Sequence, residues 1–316
     1  MEIKRGIYKG LSCYSIENSL ISLLILPELG AKIASIFYKP QQFEVLFQPA
    51  DGKYQLANYG ANFAEYDTSG ADEMFPTIDP CSYPTGDYTG ITLPDHGELW
   101  SLPWEVTVDK DGLAARVEGR TLPYVFFRTI SLNKSTIRMS YKVRNIGSAA
   151  IYGLWAFHGL VACDEFTRIM LPGVSEVINV HESTILGSVG TRHSFPVSMG
   201  INGIEAHLNR VGSRSLEKTK KFYAADKQAK GFAGITLNNN QLIYELLFPV
   251  DKVPYLGVWV NEGGFKGEYN CALEPATGYF DRLDTAYLLN SIDLLGPGAV
   301  KEWYLEIRLT SYEMNN

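Results

Sequence analysis

The sequence predicts an all-β protein, a large antiparallel β-sandwich, and three observations carry that expectation. Apolar and polar residues alternate with a period of two, turn residues separate the alternating runs, and helical periodicity is scarce. Ile137-Arg138-Met139-Ser140-Tyr141-Lys142-Val143-Arg144 alternates without a break. Near the C-terminus, Trp303, Leu305, Ile307 and Leu309 alternate with Tyr304, Glu306, Arg308 and Thr310, and earlier Trp104, Val106 and Val108 alternate with Glu105, Thr107 and Asp109. Strict alternation sets one strand face on a core and the other in water, as antiparallel sheets allow. The more uniformly apolar runs Leu20 to Leu26 and Leu242 to Phe248 predict strands covered on both faces.

The punctuation agrees. Asp51-Gly52, Asp111-Gly112, Asn145-Ile146-Gly147, Glu262-Gly263-Gly264 and Gly296-Pro297-Gly298 supply turn chemistry between the runs. Only Ser213 to Lys230 has a pattern that would suit a substantial helix, and its mixed charges read as a solvated face. From Asn58 to Tyr88 the pattern is irregular and rich in Gly, Asp, Pro and Tyr, which predicts a binding loop. The chain has 316 residues, enough for one large domain or two ordinary ones. With no repeat, low-complexity linker or composition shift, a single domain over residues 1–316 is expected.

Composition narrows the partners. A formal net charge of -7 and the lack of a basic block argue against nucleic acid. The apolar run Leu23-Leu24-Ile25-Leu26 is far shorter than the roughly 20 residues a membrane helix needs, so no membrane association is expected. Met1-Glu2-Ile3-Lys4-Arg5 is not followed by a secretory core. The scattered cysteines Cys13, Cys81, Cys163 and Cys271 have no metal-type spacing and predict free, buried thiols. A cytoplasmic protein, monomer or homodimer, is the resulting expectation.

Three stretches carry candidate chemistry. In Tyr269-Asn270-Cys271-Ala272-Leu273-Glu274-Pro275 an apolar run sets one carboxylate before a proline, which predicts Glu274 at a strand end facing a cleft. Pro94-Asp95-His96-Gly97 places a histidine in a loop, and Trp155-Ala156-Phe157-His158-Gly159 places another at a strand end. His181, His193 and His207 have no supporting context and read as surface or structural residues. Asp72 and Glu73 are candidates to grip hydroxyls, and Trp100, Trp155 and Trp259 to form an apolar platform.

Together these elements resemble the aldose 1-epimerase (galactose mutarotase-like) family. The resemblance lies in the Leu29-Gly30-Ala31 turn, in Asp95-His96-Gly97 followed by Trp104, in His158, and in Leu273-Glu274-Pro275, an ordered set spanning most of the chain. It implies a β-supersandwich with a sugar cleft, and interconversion of the α and β anomers of a hexose. It also implies Glu274 as base, His158 as acid and His96 assisting, with Asp72, Glu73, Trp155 and Trp259 meeting the sugar. A carboxylate with an ordinary pKa of about 4.3 is charged at neutral pH, and a histidine near 6.5 supplies a proton with little tuning. No cofactor and no metal is expected, because this ring opening needs only proton transfer.

Other readings use the same scaffold. A non-catalytic carbohydrate-binding protein would keep the aromatics and carboxylates alone. A glycoside hydrolase would pair Glu274 with Glu262, Glu268 or Asp281, and a sugar-phosphate site would recruit Arg192 or Arg282.

Overall fold

The structure, a computed structural model, describes residues 1–49 and 51–311. Its first large sheet has 13 strands. Their spatial order is Glu2–Tyr8, Leu11–Glu17, Ile21–Leu26, Lys32–Tyr38, Ala71–Met74, Ala156–Gly159, Tyr269–Ala276, Tyr255–Glu262, Lys218–Ala224, Glu176–Asn179 and Arg192–Ser194. Phe43–Glu44 and Val161–Ala162 pair off this path. The second sheet has 8 strands and centres on Val300–Ser311 and Thr136–Asn145, with Leu242–Leu247 and Tyr124–Asn133 outside them. The two sheets share one hydrophobic core, to which both contribute alternate residues.

Period-two patterning explains which face each strand buries. Ile137, Met139, Tyr141 and Val143 are all at most 3% exposed, as are Leu305 and Ile307 beside them. Each such side chain contributes about 1.5–3 kcal/mol when fully buried. In the larger sheet Cys271 and Leu273 point into this core next to Val258 and Val260. The alternate residues therefore emerge on the opposite face: Ala272 and Glu274 on one strand, Gly257 and Trp259 on the next, Lys221 and Tyr223 on the third. That second face carries the candidate site.

Several elements differ from the expectations. Ser213 to Lys230 is not a helix: after a short 3₁₀ turn at Arg214–Leu216 it becomes the strand Lys218–Ala224. Its lysines look solvated in sequence, yet Lys220 and Lys221 are 6% and 5% exposed, each against a buried glutamate. The α-helix that does form is the short Leu283–Leu288. Leu242–Leu247 alternates between buried and half-buried positions, so it is not covered on both sides, whereas Ile21–Leu26 sets Ile21, Leu23 and Ile25 in the main core and Leu24 and Leu26 against a second small cluster with Cys13, Leu29, Ala34 and Tyr54. Val108, at the edge of the second sheet, is 55% exposed despite its place in an alternating run. Pro275 does not end its strand, which runs from Tyr269 to Ala276. On the side toward residues 156–162 that strand is paired at Ala276 and at Asn270 and Cys271, so the proline falls in a gap where no ladder donor is required.

Among the described residues no helix is long and apolar enough to cross a membrane. The four cysteines are free, with Cys13, Cys81 and Cys271 buried and Cys163 half-buried.

Candidate functional site

The exposed face of the larger sheet opens into a cavity of about 390 Å³ lined by Glu274, His96, His158, Lys221, Trp259 and Asp281, among others. Strand register assembles its floor. Glu274 lies opposite Gly257, which lies opposite Tyr223, while Lys221 lies opposite Trp259 two residues along. Gly257 matters because it leaves a gap in this row. A Cβ there would stand 3.1 Å from Tyr223 Cζ and 3.4 Å from Glu274 Cβ. Lys221 reaches across to Glu274 Oε2, with its side chain 5% exposed and that of the glutamate 0%. The other oxygen, Glu274 Oε1, is buried without a hydrogen-bond partner.

The histidines arrive from elsewhere. His158 sits on Ala156–Gly159, beside Asp72 of the neighbouring strand. His96 sits in a tight turn with a left-handed φ of 56°, its amide donating to the Ile78 carbonyl. Gly97 follows at φ 66°, where a Cβ would come within 2.2 Å of the Phe75 carbonyl oxygen, so the turn requires glycine. His96 Nδ1 donates to Asp95 Oδ1 at 2.8 Å, and Asp95 Oδ2 accepts from the Phe63 amide at 2.8 Å. Phe63 stacks on the His96 ring, centroids 4.0 Å apart, and meets His158 edge-on. The two imidazoles lie 5.4 Å apart, nearly perpendicular. With Nδ1 of His96 engaged, its Nε2 is the nitrogen left for the cavity.

Burial sets the electrostatics. It pushes the Glu274 carboxyl above its ordinary value, Asp281 adding to the shift and Lys221 opposing it. Burial disfavours the Lys221 ammonium, but Asp281 and Glu274 outweigh that and raise its pKa. Burial lowers His158 well below the usual histidine value, and the nearby His96, Lys221 and Lys32 push the same way. The charged form of His158 is therefore disfavoured, and its Nδ1 is buried and unpartnered. Asp281 would rise on burial, yet Lys221, His181 and the Tyr223 hydroxyl bring it down to about 2. Burial lowers His181, but Asp281 and Asp79 overcome this and raise it to about 9.

The structure brings Glu274, His96, His158 and Trp259 to one cavity. It does not bring Asp72, Glu73 or Trp155 there. Asp72 is 1% exposed and bound to Lys32 Nζ at 2.6 Å, in a buried pair that also draws in Asp67. Glu73, one residue on, faces the inter-sheet core. It accepts from Arg128 and Tyr141 at 2.9 Å and from Trp155 Nε1 at 2.7 Å. Trp155 packs there on Tyr141 and Trp303. A lone buried carboxylate would be costly, so these partners fix Glu73 and Trp155 in the core. Trp100 is likewise 2% exposed and outside the cavity lining.

Some residues of the site gave little or no signal in sequence. Lys221 sits in a stretch that reads as solvated, and its pairing with Glu274 spans 53 positions. His181 lines the cavity rather than a remote surface, whereas His193 is held inside by Ser198 and the Leu186 carbonyl, and His207 pairs with Glu205. Arg192 and Arg282 are outside the lining and pair with Glu176 and Asp284. Of the further carboxylates, Glu268 and Asp281 line the cavity, and Glu262 is buried against Lys220.

No protein-family model matches the sequence, and no curated protein matches it. Solved structures do. The Slr1438 protein of Synechocystis sp. PCC 6803 superposes with a TM-score of 0.72 at 16% identity, over 95% of this chain and 96% of that one. A candidate aldose 1-epimerase from Klebsiella pneumoniae gives 0.73 at 14% identity, over 97% and 83%. A galactose mutarotase related enzyme from Lactobacillus acidophilus gives 0.68 at 15% identity, over 95% and 97%. At such identities the likeness shows the fold, which is that of the galactose mutarotase-like proteins.

Proposed function

We propose that this chain, built on the galactose mutarotase-like fold, is an aldose 1-epimerase that interconverts the anomers of an unphosphorylated hexose. The observation that supports this most is the unpartnered oxygen of Glu274, a buried carboxylate in the lining of a cavity that also holds two histidines. The cavity, at about 390 Å³, suits a ligand at the small end of the range for small-molecule sites. Glu274 Oε1 takes the proton of the C1 hydroxyl while Lys221 holds Oε2 and favours the ionised carboxylate. A proton passes to the ring oxygen, the bond from C1 to that oxygen breaks, and the open aldehyde forms. Rotation about the C1–C2 bond and reclosure return both protons and give the other anomer.

The proton donor is reassigned from the expectation. Burial and neighbouring cations oppose protonation of His158, so the role we assign it is a hydrogen bond to the sugar. His96 is partly exposed and bonded to Asp95, and as an imidazolium it would keep Nδ1–H on Asp95 while Nε2–H is given to the ring oxygen and regained from that oxygen on reclosure. Trp259 and Phe265, edge to face at 6.1 Å, offer an apolar wall to the C–H face of a pyranose. Among the described residues, the lysine of the lining, Lys221, is already shared between two carboxylates and no arginine lines the cavity, which disfavours a phosphate.

Polarimetry on fresh α-D-glucose and α-D-galactose tests the reading. Faster decay of rotation with protein is expected, reduced on the order of 10²–10⁴-fold by Glu274→Gln. Unchanged decay across a panel of aldoses would refute it, and sugar binding without acceleration would favour the carbohydrate-binding alternative.

A further inference from the structure

A second cluster at the cavity is not used by the proton transfers above. Asp79, His181 and Asp281 each present one ligand-capable atom, all within 4.8 Å of one another. His181 Nε2 lies 3.4 Å from Asp281 Oδ2 and 3.8 Å from Asp79 Oδ2. The two acidic residues are fixed relative to each other, because the Ile78 and Asp79 amides both donate to the Asp281 carbonyl, at 2.9 and 2.8 Å. Asp281 divides its oxygens. Oδ1 accepts from the Tyr223 hydroxyl at 2.8 Å and faces Lys221 at 3.8 Å. Oδ2 is buried, has no hydrogen bond, and is the oxygen turned toward His181. On a residue 3% exposed, that oxygen meets His181 Nε2 at 3.4 Å without a hydrogen bond, a contact that a bound cation would replace.

The geometry points to a divalent transition-metal site formed by Asp79, His181 and Asp281 at the cavity, with its remaining coordination position open to a ligand there. A tetrahedral ion with bonds of about 2.1 Å holds its ligand atoms about 3.4 Å apart. The spacings of 3.4 and 3.8 Å from His181 are near that, and the ligand atoms of Asp79 and Asp281 lie within 4.8 Å of each other, so the two carboxylates would close toward a bound ion. One imidazole with two carboxylates suits Zn²⁺ or Mn²⁺ better than Ca²⁺ or Mg²⁺, which favour all-oxygen sets. Charge favours it too. Asp79, Asp281 and Glu274 meet a single ammonium, Lys221, so two negative charges remain for a divalent ion to balance when His181 is neutral. Lys221 approaches Asp281 at Oδ1, leaving the Oδ2 position to the ion. The competing occupant is a proton on His181, held there by the same two carboxylates. The open position would take a sugar hydroxyl or a carboxylate. The site stands independently of the epimerase reading, whose proton transfers need no ion.

The test is metal uptake by chelator-treated full-length protein without sugar, by calorimetry with Zn²⁺ and by visible absorption with Co²⁺. One saturable equivalent is expected, with Co²⁺ bands of low-coordinate intensity. His181→Ala and the near-isosteric Asp79→Asn should each weaken uptake at least about tenfold while retaining the parent melting transition, and His207→Ala should leave it unchanged. Absence of saturable uptake at millimolar metal would overturn the site. So would uptake that survives both His181→Ala and Asp79→Asn.

Discussion

Replacing Lys221 by methionine removes the ammonium that the cavity lining holds among the described residues, while keeping most of the side-chain volume. Two carboxylates feel the loss: Glu274, in direct contact, and Asp281, 3.8 Å away. At that separation an effective dielectric of about 20 gives roughly 4 kcal/mol of attraction for the Asp281 pair alone, before the cost of burying the ions. Removing one member of a buried pair typically costs about 3–5 kcal/mol. Asp281 keeps Tyr223 and His181, so Glu274 bears most of the loss. The expected destabilisation is therefore about 3–5 kcal/mol at pH 7.5. The sign with pH follows from the shifts. Lys221 has a raised folded-state pKa, so its stabilisation is present below its unfolded value and is lost only as pH rises through the folded one. Glu274, already raised by burial, rises further in the variant and becomes neutral as pH falls toward its unfolded value near 4.3. The gap between parent and variant should thus shrink by about half or more near pH 4. Urea denaturation at the two pH values measures it. A loss below about 1 kcal/mol at pH 7.5, or one that does not change between pH 4 and 8, would show that Lys221 acts by packing and not by charge.

Gly257→Val should abolish sugar acceleration and weaken sugar binding at least about tenfold, because its Cβ alone meets Tyr223 at 3.1 Å and Glu274 Cβ at 3.4 Å and crowds the carboxylate; calorimetry with the sugar checks this. Glu73→Gln should lower stability by about 3–5 kcal/mol while leaving KM unchanged, since it strips the buried Arg128 of its counter-ion in the inter-sheet core. Steady-state polarimetry with a parallel melt separates those effects. The acid limb of the pH–rate profile should lie above the ordinary carboxylate value, as burial raises Glu274, and activity should fall as pH drops through it. An acid limb at or below about pH 4 would contradict that role for Glu274.

The fold class was legible because sheet faces are written locally. The alternation in Ile137 to Arg144 and Trp303 to Thr310 is a property of neighbouring residues, and both became strands with the apolar row inside. Glu274, His96 and His158 stood out through short contexts of their own, a proline or glycine next to each. The structure sets Asp72, Glu73 and Trp155 outside the cavity lining. Glu73 and Trp155 turn toward the inter-sheet core, and Asp72, though beside His158, is spent on Lys32. Sequence marks such residues as polar or aromatic but does not say which partner they will find.

Pattern and side-chain type alone were enough to predict a β-rich chain and to single out Glu274, His96 and His158, which the fold brings to one cavity. Folding alone could show that Lys221 is buried against Glu274 and not part of a solvated face, that His181 meets Asp281, and that burial disfavours the charged form of His158. Each of these depends on register between strands or loops far apart in the chain, since charge state and pairing are set by what surrounds a group and not by its immediate neighbours.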